Sequence, residues 1–162
     1  MRLPAILSGF AVLLFATLMG APPARSENDP AGVWLTQQGD ARIQVSRCGA
    51  GICGRIVWLR DPIDPKTNKP QVDDKNPNPA LQQRPIIGLS LLIGMKPSGP
   101  AKWSGQIYNA DDGKTYIAHV TVTDGGTLDV TGCIAGGMLC GGETWTRYGQ
   151  APQPIRTGEN TN

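Results

Sequence analysis

From residue 32 onward, apolar and polar side chains alternate with a period of two in short runs. Ile43 and Val45 alternate with Arg42, Gln44 and Ser46. That spacing sets one face of an extended strand against a core and the other against water. No segment of the presumptive mature chain sustains apolar residues at i, i+3, i+4 and i+7, so no long helix is expected. The pattern predicts eight strands, over residues 32–36, 41–47, 52–59, 85–95, 103–108, 115–123, 127–134 and 144–148. Turn chemistry separates them. Asp111-Asp112-Gly113 and Asp124-Gly125-Gly126 put glycine where a tight hairpin needs positive φ, and Ala135-Gly136-Gly137 does similar work. The interval 60–84 differs from these, with Pro62, Pro65, Pro70, Pro77 and Pro79. A connection of that length in a small domain usually carries function or lacks order. Asn78 can cap one helical turn there, through Gln83, with Pro79 at its first position.

Short antiparallel strands must protect their edges, and closing the sheet does so completely. The expected fold is therefore all-β: an eight-stranded antiparallel up-and-down barrel with one long loop after the third strand. A two-sheet sandwich is the alternative. The interior of eight strands is either filled by side chains or holds one small ligand. In a meander the connections alternate between the two ends. Loop 60–84, the 111–113 turn and the 133–140 turn then share one end, the mouth. Gly32 and Trp34 start the first strand at the opposite end, where Trp145 and Arg147 finish the last.

The first residues follow another pattern. Arg2 precedes an uncharged stretch to Met19, and Ala24-Arg25-Ser26 offers small residues for cleavage. This is the layout of an export signal, and the apolar stretch is short for a membrane anchor. The expected organisation is a signal peptide over 1–26, a barrel over 27–148 and a flexible tail over 149–162. The expected location is the periplasm or the outside of the cell. The chain has 15 Lys+Arg against 13 Asp+Glu, and Arg2 and Arg25 both belong to the signal, so the mature protein is neutral. Such a balance does not suggest a nucleic-acid partner. In an exported chain, cysteine pairs read first as disulfides. Cys48 and Cys53 flank a four-residue turn, and Cys133 and Cys140 flank six residues, so local pairing is preferred over the crossed pairings. Neither spacing is that of a zinc finger.

Gly32-Val33-Trp34 at the start of the first strand, with Trp145-Thr146-Arg147 at the end of the last, resembles the closed end of lipocalin-like barrels. The resemblance implies that Arg147 packs over the Trp34 indole and plugs that end, a contact worth roughly 0.5–2 kcal/mol. A longer ordered set runs through the chain: Gly32-Val33-Trp34-Leu35-Thr36, Cys53-Gly54-Arg55-Ile56-Val57-Trp58-Leu59, Asp73-x-x-Asn76-Pro77, Arg84-Pro85-x-x-Gly88, Trp103-x-Gly105-x-Ile107-Tyr108, Asp112-Gly113-Lys114-Thr115-Tyr116 and Thr144-Trp145-Thr146-Arg147. This set resembles a bacterial family of exported proteins, domain of unknown function 2147. The resemblance implies export and a lipocalin-like barrel, with no settled activity. Several positions depart from the family pattern: Asn109-Ala110 stands where Asp-Pro is common, Gln82 replaces a frequent Arg, and Thr131-Gly132-Cys133 replaces an Arg-Gly-Tyr pattern.

The candidate ligand-binding residues are Asp73, Asn76 and Arg84 in the long loop, with Tyr108 and Tyr116 beside the turn at the same end. Arg84 can either pair with Asp73 as a brace of the loop or receive a carboxylate or phosphate. Enzyme signatures are missing. His119 is the single histidine, no Gly-x-Ser-x-Gly occurs, and Ser46, Ser90, Ser98 and Ser104 have no base near them in sequence. No Asp-x-Asp-x-Asp-Gly calcium loop occurs either. The expectation is a non-enzymatic binding protein for a small apolar or amphipathic ligand, without cofactor, metal, catalytic residue or membrane span. The alternatives are a packed barrel whose long loop meets a protein partner and, less favoured, an enzyme using carboxylates and tyrosines of the mouth.

Overall fold

The structure is a computed structural model that describes residues 28–123 and 126–149. The expected signal peptide and the tail beyond Gly149 lie outside these residues. The strands are β1 (Gly32–Leu35), β2 (Ala41–Cys48), β3 (Gly51–Leu59), β4 (Ile63–Asp64), β5 (Lys69–Pro70), β6 (Ser90–Gly99), β7 (Lys102–Asn109), β8 (Lys114–Val122), β9 (Leu128–Ile134) and β10 (Leu139–Arg147). Eight of them close into an antiparallel barrel in the order β1-β10-β9-β8-β7-β6-β3-β2, and β4 and β5 form a separate small hairpin within the long loop. Closure is made by β10 on β1, with Trp34 opposite Arg147 and Leu35 opposite Thr146. Among the described residues no helix is long and apolar enough to cross a membrane.

Alternation sorts the side chains as the pattern predicts. Trp34, Ile43, Val45, Val120, Leu128 and Trp145 are all at most 1% exposed. Burying each such side chain contributes roughly 1.5–3 kcal/mol. Their strand neighbours face water: Ser104 and His119 lie directly opposite each other on β7 and β8, exposed on the outer face.

The β4–β5 hairpin was not expected within the loop, and two barrel strands differ in extent from expectation. The fourth barrel strand runs over 90–99 rather than 85–95. Proline has no N–H to give a ladder, and Pro85 instead sits in a bridge to Val72. Asp73 N–H donates to Arg84 O at 3.0 Å and Ile86 N–H to Gln71 O at 3.1 Å, so residues 71–73 and 84–86 pair within the loop. Pairing with β3 starts only where Gly88 N–H reaches Ile56 O at 2.8 Å and Ile56 N–H reaches Leu89 O at 3.0 Å. The last strand begins at Leu139 rather than Thr144. Gly141 and Gly142 carry no side chain that could show a period, but they pair with Gly132 and Thr131 all the same. The capped turn is present as a 3-10 turn over Pro79–Leu81, where Asn78 Oδ1 accepts from Ala80 N–H at 3.0 Å.

Both local disulfides are formed. Cys133 and Cys140 are direct cross-strand partners with Cα atoms 4.1 Å apart. Cys48 and Cys53 bridge β2 and β3 with Cα atoms 5.8 Å apart.

Candidate functional site at the barrel mouth

The connections 36–40, 60–89, 110–113 and 135–138 all lie at one end of the barrel, as strand parity requires. The long loop is pinned to β7 by a buried polar cluster. Asp73 is completely buried, and Asn76 and Tyr108 are nearly so. By alternation Tyr108 belongs to the outer face with Ser104 and Gln106, and the loop is what covers it. Tyr108 Oη donates to Asp73 Oδ1 at 2.6 Å, and Asn76 Nδ2 donates to Asp73 Oδ2 at 2.8 Å and to Tyr108 Oη at 3.0 Å. Arg84 places Nε 2.8 Å and Nη2 2.7 Å from the same Asp73 Oδ2, with its guanidinium over the Tyr108 ring at 5.5 Å. Burial pushes the Asp73 carboxyl up. The hydrogen bonds from Tyr108, Asn76 and Arg84, with the Arg84 charge, outweigh it and hold the group below the ordinary aspartate value. Burial and the Asp73 carboxylate together raise the Tyr108 hydroxyl. Asn76 Oδ1 also accepts from Asn78 N–H at 2.9 Å, which carries the restraint into the capped turn. At the far side of the loop, a side chain on Gly113 would collide with the Lys75 carbonyl, and Gly113 has φ +71°, so the turn there needs glycine twice over.

Inside the mouth the barrel is not filled. A cavity of about 1020 Å³ reaches down to Ile43, Ile56, Val130 and Trp145, and its upper wall includes Leu59, Val72 and Ile86. Gly132 and Gly141 line the opposite wall, and a Cβ placed on Gly141 would meet no atom within 4 Å. At the rim, Ile134, Met138 and Leu139 are exposed by 46%, 82% and 64%, an apolar edge beside the opening.

Below the polar rim connections, Tyr116 and Glu143 are polar residues of the strand wall. Tyr116 shares the inward parity of Ala118 and Val120, and its hydroxyl donates to Asp112 of the rim turn. That hydrogen bond, with a smaller contribution from burial, raises the Tyr116 hydroxyl. Glu143 shares the inward parity of Trp145, and its Oε1 accepts the indole N–H at 2.5 Å. Of the five residues singled out from sequence, Tyr108 and Tyr116 touch the cavity, whereas Asp73, Asn76 and Arg84 do not line it. Glu143 was not singled out. Its one signal is a position two residues before an inward-facing tryptophan.

The closed end is dense by contrast. The Arg147 guanidinium lies 4.2 Å from the Trp34 ring centre, and its Nη1 donates to Ala31 O at 3.0 Å. Trp34 Nε1 donates to Pro30 O at 2.8 Å. On the outer sheet Ser104 Oγ lies 2.9 Å from His119 Nδ1 and 2.9 Å from Ser98 Oγ. Residues 15 apart in sequence meet there through strand register. The group is exposed, and none of its three residues is among those that line the cavity. Among the described residues no group of three or more His, Cys, Asp or Glu side chains is placed to hold a metal ion.

The sequence profile of one bacterial family, described as "Uncharacterized protein conserved in bacteria (DUF2147)", matches residues 32–147. The chain belongs to the DUF2147 family. Among curated proteins no sequence matches it. Among solved structures, one from Helicobacter pylori, described as "Protein HP1028 from the human pathogen Helicobacter pylori belongs to the lipocalin family", is similar with a TM-score of 0.63 at 24% identity. The match covers 74% of this chain and 83% of that one. The likeness establishes a shared lipocalin-like barrel fold. Against the DUF2147 pattern, the departures find local uses. Gln82 Nε2 donates to Asn76 O at 2.8 Å, and Asn109 Oδ1 caps its turn by accepting from Asp111 N–H at 3.0 Å. Thr131 and Cys133 alternate onto the outer face, leaving Gly132 as the residue of that triplet on the cavity wall.

Proposed function

We propose that this DUF2147 protein is a non-enzymatic binding protein that takes a small apolar or amphipathic ligand into the barrel mouth. The observation that carries this reading is the cavity of about 1020 Å³ with an apolar floor of Ile43, Ile56, Val130 and Trp145. That volume is at the upper end of the range of small-molecule sites, and an apolar floor beneath a polar rim suits an amphipathic ligand. A packed interior would favour a protein-interaction module instead. In this reading Tyr116 and Glu143 orient the polar end of the ligand. Asp73, Asn76, Arg84 and Tyr108 act indirectly, holding the loop that forms one side of the opening. The Arg84 charge is already matched by Asp73, which argues against its serving as an anion receptor. Export fits the same picture: two disulfides favour an oxidising compartment, and the N-terminal segment has the layout of a signal.

Native mass spectrometry of protein purified from the bacterium that makes it tests the proposal. A co-purifying small molecule, held more weakly by a Gly141→Leu variant that narrows the cavity, is the expected result. Failure of delipidated protein to bind any fatty acid, alkyl alcohol or Nile red overturns it.

A further inference from the structure

Resting on that reading, we infer that the cavity selects ligands whose polar end is cationic: an amine or quaternary ammonium carried on an apolar body. The charged residues of the lining are Asp40, Asp61, Asp74, Asp111 and Glu143 against the single Lys75. Lys75 Nζ already lies 3.5 Å from Asp74 Oδ2, so the one cation of the lining is matched within the loop. A concave site walled by low-dielectric side chains focuses such an imbalance and raises the local concentration of the opposite charge. Glu143 is the decisive member, because the four aspartates belong to the rim connections. It is half-buried on the inner wall, and among the described residues no lysine or arginine forms an ion pair with it. The hydrogen bond from Trp145 fixes one carboxylate oxygen and orients the group. A carboxylate beside a tryptophan on the wall of an apolar cavity is a receptor for a weakly hydrated cation, which gains from the charge and from contact with aromatic rings. An anionic head would meet repulsion at the rim and again at Glu143. The neutral net charge of the mature chain conceals this local polarity.

Three probes of one chain length test the inference: decyltrimethylammonium, 1-decanol and decanesulfonate, titrated calorimetrically below their micelle concentrations. The ammonium is expected to bind about tenfold tighter than the alcohol, the sulfonate weaker than both, and the gap to narrow in 0.5 M salt. Glu143→Gln keeps an oxygen for the Trp145 N–H and is expected to bring ammonium affinity down to that of the alcohol. Equal affinities for the three probes, or an ammonium preference unchanged in Glu143→Gln, overturn the inference. Should that variant fail to fold, Asp111→Asn and the salt titration decide in its place, and a preference insensitive to both overturns it. Gly141→Leu separates this outcome from failure of the parent reading. If it weakens all three probes alike while they bind the native protein equally, the cavity reading stands and charge selection falls. If no probe binds the native protein, both fall.

Discussion

The two ends of this barrel are built on the same strands with the same alternation, yet one is solid and the other hollow. At the closed end the inward positions carry Trp34, Val45, Val122 and Leu128, and Arg147 lies across the indole. At the mouth, β9 and β10 turn Gly132 and Gly141 inward, the long loop stands at the rim, and a cavity of about 1020 Å³ remains. Strand pairing is therefore indifferent to whether a barrel stores stability or space. Side-chain volume at a few inward positions decides that. The polar groups divide in the same way. Arg147 at the closed end and Asp73 beneath the loop are consumed by internal partners, whereas Glu143 faces the cavity and, among the described residues, is met only by an indole N–H.

The contrast can be broken at its strongest point by Trp34→Ala, which is expected to cost about 3–5 kcal/mol in denaturant unfolding. A loss under 1 kcal/mol would mean that the closed end does not hold the barrel. Next is Asp73→Ala, which leaves Tyr108 Oη without its acceptor and Arg84 without its counter-charge. Because Arg84 is partly exposed, the expected loss is about 2–3 kcal/mol.

The same carboxylate predicts a pH dependence. Its folded value lies below the usual 3.8, so its contribution is complete above that value and is lost as pH falls through the folded one. Tyr108, raised above the ordinary 10.0, works in the opposite direction: its contribution holds below pH 10 and is lost as pH rises through the folded value. Unfolding curves should therefore weaken below about pH 4 and above about pH 10, with the acid limb flattened in Asp73→Ala and the alkaline limb in Tyr108→Phe. Identical limbs in native and variant proteins would refute this account of the cluster.

A smaller effect is expected from Arg147→Ala, about 0.5–2 kcal/mol by thermal melting, with binding of an apolar probe unaltered. Gly141→Leu should do the reverse. Nothing lies within 4 Å of the added Cβ, so stability should change by less than about 1 kcal/mol while probe binding weakens. If Arg147→Ala weakens binding as much as Gly141→Leu does, the two ends are not independent.

Much of this layout was legible in the residue pattern because period two is set by local geometry. β2 and β3 are found where Ile43, Val45, Ile52 and Ile56 place them, and hairpin glycines mark the ends. Where neighbouring residues do not carry the signal, the pattern was silent or misleading. Pro85 and Ile86 read as strand but pair with residues 71–73, because a loop supplied the partner. The first residues of β10 were missed because glycine has no polarity to alternate. Asp73, Asn76, Arg84 and Tyr108 could be grouped at one end, but the burial of outward-facing Tyr108 depends on the loop folding back over it. Ser104 and His119 meet only through register.

By itself the sequence placed the eight barrel strands and the connections that share an end, and it favoured the closed meander and the two local disulfides, since these follow from alternation, turn residues and short loops. Tertiary structure alone decided where the interior is empty, which carboxylate is buried and which faces the cavity. Those outcomes depend on the volumes and charges that distant strands bring together, and no local pattern encodes such a sum.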